Sequence, residues 1–152
     1  MEGITSLGHA AINVKDLDKS LAFYSGLLEF PEMLRLNKDD GSPWLIYLRI
    51  TDTQFLEIFP GAEQDLAPAS WHANGVTHLC LTVTDIENVV KRLTAKGIKL
   101  LLPLKDGADG NRQAWIEDPD GNRIELMEMM PGCLQEKAID RLRTQPEALV
   151  PA

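Results

Sequence analysis

Gly8–Tyr24 reads GHAAINVKDLDKSLAFY, and Thr77–Leu93 reads THLCLTVTDIENVVKRL. Laid on one another, the two stretches align His9 with His78, Val14 with Val83 and Asp16 with Asp85, and apolar positions match between and after them. Further along, FLEIF (Phe55–Phe59) falls on RIELM (Arg123–Met127), which sets Glu57 on Glu125. The chain is an internal repeat. Each half carries one histidine near its start and one glutamate near its end.

The local structure follows from these segments. In His9–Val14, residues His9, Ala11 and Asn13 take one face, and Ala10, Ile12 and Val14 take the other. In His78–Val83, His78, Cys80 and Thr82 oppose Leu79, Leu81 and Val83. Alternation of this kind marks a strand with one face buried. Asp16 and Asp85 then stand where a helix N-cap belongs. Ile86, Val89, Val90 and Leu93 keep helical spacing up to Gly97, a stop signal; Leu17, Leu21, Tyr24 and Leu28 do the same in the first half. Strands are expected over 30–36, 44–50 and 54–59, then over 98–102, 113–117 and 122–128. Loops rich in Asp and Gly (38–43 and 105–111) separate them. Asp118-Pro119-Asp120-Gly121 is a turn between strands and reads as pure hairpin geometry. Each half reads βαβββ, so the class is α+β. The boundaries are a first module over 1–60, a linker over 61–74, a second module over 75–130 and a C-terminal helical tail over 131–152, with a helix over 133–143 and a loose end after it.

Composition narrows the functional classes. The 152 residues suit one domain or two small fused repeats, and the net charge is −8. That balance argues against a nucleic-acid partner, which needs a basic footprint, and against docking on anionic membrane lipid. It also leaves an anionic substrate dependent on a local cation. Arg35, Arg112 and Arg123 are available for that role, with solvated surface charge as the alternative. The two cysteines, Cys80 and Cys133, form no CxxC pattern and read as one core and one loop thiol in a reducing compartment. No basic-then-apolar leader opens the given sequence, and no apolar run approaches about 18 residues, so the expected location is cytoplasmic.

The chemistry sits on the strand faces turned away from the helices. Glu57 shares a face with Phe55 and Phe59; Glu125 shares one with Arg123 and Met127. A single histidine at a strand start is ordinarily structural, and a single glutamate among apolar residues ordinarily lies at an edge. The duplication reverses that balance, because two His and two Glu recur at equivalent positions of both repeats. Buried carboxylates need a compensating partner, and a divalent cation supplies one. Two imidazoles and two carboxylates suit one Zn²⁺, Ni²⁺, Co²⁺, Mn²⁺ or Fe²⁺. His72 lies in the linker without a repeat partner and reads as a surface residue. Trp44, Trp71 and Trp115 read as core or pocket wall.

The chain resembles the vicinal oxygen chelate superfamily, and within it glyoxalase I (lactoylglutathione lyase). The resemblance covers about residues 5–130. It is carried by Gly8-His9, Val14-x-Asp16, Phe55-Leu56-Glu57, Thr77-His78, Val83-x-Asp85 and the ending from Glu117 through Asp118-Pro119-Asp120-Gly121-Asn122-Arg123-Ile124-Glu125 to Leu126. It implies paired βαβββ modules forming a curved, cup-shaped mixed sheet with the helices outside. It also implies His9, Glu57, His78 and Glu125 as the ligands of one divalent metal. Ring-cleaving dioxygenases and fosfomycin-resistance transferases of this superfamily carry ligands at the positions of His9, His78 and Glu125 only. Methylmalonyl-CoA epimerases usually carry Gln at the position of Glu57. The four-ligand set is the glyoxalase I one. By that similarity a metal-site glutamate moves a proton between adjacent carbons of an α-hydroxycarbonyl or hemithioacetal through a metal-bound enediolate, with Glu125 the base and Glu57 its counterpart. Bacterial glyoxalase I carries Arg at the position of Asn13 and Asn at that of Gly61, where they help hold glutathione. The departure leaves the reaction type implied and the use of glutathione open.

The small-molecule enzyme is expected to work as a homodimer, with the four ligands drawn from one chain or split two and two between chains. Two other readings are an epimerase of the same superfamily and a metal-free small-molecule binding module; metal content separates the latter from both enzymes.

Overall fold

A computed structural model describes residues 3–64 and 74–144. The elements run β1 (His9–Val14), α1 (Leu17–Leu21) continued by a π-helical segment (Ala22–Leu27), β2 (Glu32–Asn37), β3 (Pro43–Arg49), β4 (Phe55–Pro60), β5 (Leu79–Thr82), α2 (Ile86–Ala95), β6 (Leu102–Asp106), β7 (Arg112–Glu117), β8 (Arg123–Glu128) and α3 (Leu134–Thr144). The strands form two four-stranded mixed sheets, ordered β1-β4-β3-β2 and β5-β8-β7-β6. The two orders are one pattern used twice. In each sheet the first strand of the repeat pairs parallel with the last, and the remaining pairs are antiparallel. This is the α+β, paired βαβββ architecture expected from the repeat. The described chain divides into two compact units, residues up to 64 with Asp118–Gly121, and residues 74–117 with 122–144.

The helix ends obey the sequence signals. The side chain of Asp16 accepts from Lys19 N at 3.1 Å, and that of Asp85 accepts from Asn88 N at 3.3 Å, so both aspartates cap as expected. At the end of α2, Gly97 takes φ +92°, its N–H donates to Thr94 O at 3.0 Å, and Ile98 N–H donates to Leu93 O at 3.1 Å. That pair of bonds is a Schellman cap, which the αL freedom of glycine permits. The cap also accounts for a difference from the expected strand over 98–102. Ile98 is spent closing the helix and is buried beside Leu93, so the strand starts only at Leu102 and runs into the expected loop. Likewise β5 starts at Leu79, with His78 immediately ahead of it.

The first helix departs from simple periodicity. After Leu21 it widens to π-type turns, with Leu28 N–H donating to Phe23 O and Phe30 N–H to Tyr24 O, both at 3.0 Å. The wider turn buries two consecutive aromatic side chains, Phe23 and Tyr24, whose rings meet edge to face at 5.0 Å. They join Val14, Ile46, Leu48, Leu56 and Ile58 in the core of the first unit. In the second unit α2 packs on β7 and β8. Ile86 and Leu93 are buried there, as are Ala114, Ile116, Ile124 and Leu126. Each such Leu or Ile side chain contributes about 1.5–3 kcal/mol when removed from water.

The Asp118–Gly121 turn is more than a hairpin connection. Gly121, at φ +85°, closes it by donating to Asp118 O at 3.1 Å. The Asp118 carboxylate is buried; it accepts from Asp120 N at 2.9 Å and from the Tyr24 hydroxyl at 2.8 Å. Lys15 N donates to Asp120 Oδ2 at 3.3 Å. These bonds place the turn in the first unit.

The C-terminal helix forms as α3, close to the expected 133–143. Cys133 is the buried thiol and Cys80 the exposed one. Trp44 is 50% exposed and is not a core residue, which corrects that half of the expectation. Trp71, His72, most of the linker and the end of the tail lie outside the described residues. Among the described residues no helix is long and apolar enough to cross a membrane.

Candidate functional site

The parallel pairing of first and last strands decides which side chains meet. In the first sheet Ala11 lies across from Glu57 on β4, and in the second Cys80 lies across from Glu125 on β8. On the other flank Tyr47 lies across from Glu57, and Trp115 across from Glu125. Each glutamate therefore sits between equivalent strand positions, on the face opposite Leu56 and Ile58 or Ile124 and Leu126. The histidine two residues before Ala11 or Cys80 reaches the same face.

Both histidines meet their glutamates. His9 Nδ1 lies 3.6 Å from Glu57 Oε1, and His78 Nε2 lies 3.2 Å from Glu125 Oε2. Side-chain exposure is 53% and 9% in the first pair, and 31% and 15% in the second. The carboxylates are thus the more enclosed partners, a costly position for a charge unless a cation or donor faces it.

The walls of the two pairs differ. A hydrogen bond from the Tyr47 hydroxyl to Glu57, then burial and the charge of Glu57, hold the Tyr47 phenol above its ordinary range. At Glu125 the neighbour is Cys80. Burial first, then the Glu125 charge and a hydrogen bond to Glu125, push the Cys80 thiol up to about 12. Trp115 is buried, as expected for a wall, and its ring meets His78 edge-on at 4.8 Å. Its Nε1–H donates to Gln113 Oε1 at 2.8 Å. Thr77 Oγ1 lies 2.9 Å from His78 Nδ1. Tyr47 and Gln113 were not singled out in the sequence. The available signal was the alignment of repeats, which lays Tyr47 on Trp115.

The arginines divide. Arg35 is held by Glu32 through two bonds of 2.8 and 2.6 Å, and Arg112 by Glu87 at 2.9 Å. Arg123 lies across from Glu117 at the start of β8, on the same face as Glu125.

The fold has a match among known proteins. A family model described as the Glyoxalase/Bleomycin resistance protein/Dioxygenase superfamily matches residues 6–126. The chain belongs to this superfamily. Lactoylglutathione lyase of Pseudomonas putida is 28% identical over 147 residues, covering 81% of this chain and 84% of that protein. The mitochondrial methylmalonyl-CoA epimerase of Dictyostelium discoideum is 25% identical over 126 residues, covering 80% and 76%. Among solved structures, a glyoxalase family protein from Enterococcus faecalis superimposes with a TM-score of 0.70 at 30% identity, covering 81% of this chain and 97% of that one. This member of the glyoxalase superfamily thus has distant enzyme relatives of two kinds, lyase and epimerase.

Chemically, each pair turns one imidazole nitrogen and one carboxylate oxygen toward one another, donor types that suit a first-row divalent ion. Among the described residues no group of three or more His, Cys, Asp and Glu side chains comes together to hold an ion. Each pair by itself supplies two donors.

Proposed function

We propose that the chain is a metal-dependent lyase or isomerase of the lactoylglutathione lyase kind. In this reading His9, Glu57, His78 and Glu125 bind one divalent ion, Zn²⁺, Ni²⁺, Co²⁺, Mn²⁺ or Fe²⁺. The supporting observation is the duplicated pair, a ring nitrogen facing an enclosed carboxylate at 3.6 Å and again at 3.2 Å, on equivalent strands of both repeats. Bound there, an ion supplies Lewis-acid polarisation of substrate oxygens. The pairs are brought together within one chain or, two and two, between the copies of a homodimer.

The protein's own part is proton transfer and water exclusion. Glu125 takes a proton from one carbon of an α-hydroxycarbonyl or hemithioacetal and returns it to the adjacent carbon. Trp115 and Met127, both buried on its face, keep water from competing. Glu57, which accepts from the Tyr47 hydroxyl, is its counterpart. A second reading, epimerisation beside a thioester, is favoured by the methylmalonyl-CoA epimerase relative.

The test is metal analysis of protein purified without chelators, together with turnover of methylglyoxal with and without glutathione. Near-stoichiometric divalent metal in the wild type, most of it lost in a folded His78→Ala variant, supports the ligand set; unchanged metal in that variant defeats it. Glutathione-dependent turnover selects the lyase. Metal with no methylglyoxal turnover, but exchange of a thioester α-proton, selects the epimerase.

A further inference from the structure

The two histidines are not held alike. His78 is fixed on three sides: Thr77 Oγ1 at 2.9 Å from Nδ1, Glu125 Oε2 at 3.2 Å from Nε2, and the edge contact with Trp115. Trp115 is in turn oriented by its bond to Gln113. His9 turns Nδ1, not Nε2, toward its glutamate and is the more exposed ring. The repeat alignment supplies the reason. The residue ahead of His9, where the second repeat has Thr77, is Gly8, which has no side chain to offer.

We infer that Thr77 is a positioning residue that presents Nε2 of His78 to the metal, an inference that rests on the metal reading above. A hydroxyl both donates and accepts. Glu125 faces Nε2 and the Thr77 hydroxyl faces Nδ1, so each ring nitrogen has a partner whichever of the two carries the proton. Coordination requires a bare Nε2. With Nε2 bare, the proton of the neutral ring sits on Nδ1, where it donates to Thr77 Oγ1. One contact serves both tautomers, and the ring does not have to turn to change between them. Thr77 is exposed, so its role is separable from core packing. Partners of this kind behind a ligating histidine are worth about 10–100-fold in metal affinity.

The experiment compares the full chain with Thr77→Val and Thr77→Ser. Zn²⁺ affinity is read by competition with a chromophoric chelator. The tautomer is read from ring ¹⁵N shifts of His78 through a Zn²⁺ titration, assigned by their loss in His78→Asn. Thr77→Val should bind Zn²⁺ about 10–100-fold more weakly with an unchanged melting temperature, and Thr77→Ser should bind close to wild type. In the Zn²⁺-bound wild type the ring proton should sit on Nδ1. Equal affinity in Thr77→Val, loss of affinity in Thr77→Ser, or a bound ring protonated at Nε2 each overturns the inference while leaving the metal reading intact. A wild type that takes up no Zn²⁺ overturns both.

Discussion

Replacing Tyr24 by phenylalanine removes one oxygen from the core of the first unit and nothing else. The Tyr24 side chain is 1% exposed, and its hydroxyl donates to the buried Asp118 carboxylate at 2.8 Å. A hydrogen bond to a charged acceptor is worth about 1.5–3 kcal/mol. In a chain of 152 residues that loss lowers the melting temperature by about 3–12 °C. A second signature lies in the pH dependence. Burial, then the charge of Asp118 and the hydrogen bond to it, then the charge of Asp120, push the Tyr24 phenol far above its ordinary value. The folded phenol therefore stays protonated while the unfolded one ionises above about pH 10. Above that pH the unfolded state binds fewer protons, so this group's contribution is complete below about pH 10 and declines by about 1.4 kcal/mol per pH unit above it. A phenyl ring has no proton to lose, so the stability gap between wild type and Tyr24→Phe should be constant from about pH 7 to 9 and shrink above about pH 10. Urea unfolding of both proteins across that range measures it. A gap below about 0.5 kcal/mol at pH 7, or one that persists undiminished at the alkaline end, refutes the argument.

Glu125→Gln keeps the side-chain size and one possible ligand oxygen, so it should retain part of the metal while losing about 10²–10⁴ in rate, along with solvent-deuterium incorporation at the substrate carbon. Near wild-type turnover in this variant moves the base elsewhere, with Glu57 next in line. Sedimentation at micromolar concentration should show a homodimer; a monomer alone counts against that assembly. Mixing His9→Ala with His78→Ala chains restores one intact metal site per mixed pair if the ligands are split between copies, and none if each chain holds its own set. Gly97→Ala should cost about 1–2 kcal/mol from positive φ alone, since a Cβ there meets nothing within 4 Å; denaturant midpoints within error of wild type would exclude the Schellman cap as a stability element.

The repeat made the architecture legible because it reports twice on the same physics. Asp16 and Asp85 cap, the strand faces alternate, and both His–Glu pairs form where the duplicated positions put them. The start of β6 was not legible, because Ile98 is apolar in a run of apolar residues and local pattern does not separate a helix-capping contact from a strand. The π turns were hidden for a related reason: Leu17, Leu21, Tyr24 and Leu28 fit ordinary helical spacing, and the widening serves Phe23. The neighbours of each glutamate depend on strand order and register. Tyr47, Cys80 and Trp115 are joined to Glu57 and Glu125 only once β3, β5 and β7 are known to flank β4 and β8. Nor does sequence reveal that Nδ1 of one histidine and Nε2 of the other face the carboxylates.

The first unit is completed by residues that leave the ribosome late. Its strands end at Pro60, yet the acceptor for Tyr24 lies 94 positions further along the chain. During synthesis, β1 to β4 emerge with a buried hydroxyl still waiting for Asp118, and closing so long a loop carries an entropic cost set by its length. The opening half is therefore not a separable piece. A fragment cut in the linker lacks its own last turn, and a chimaera that exchanges one repeat between relatives must carry residues 118–121 along with the half that precedes them.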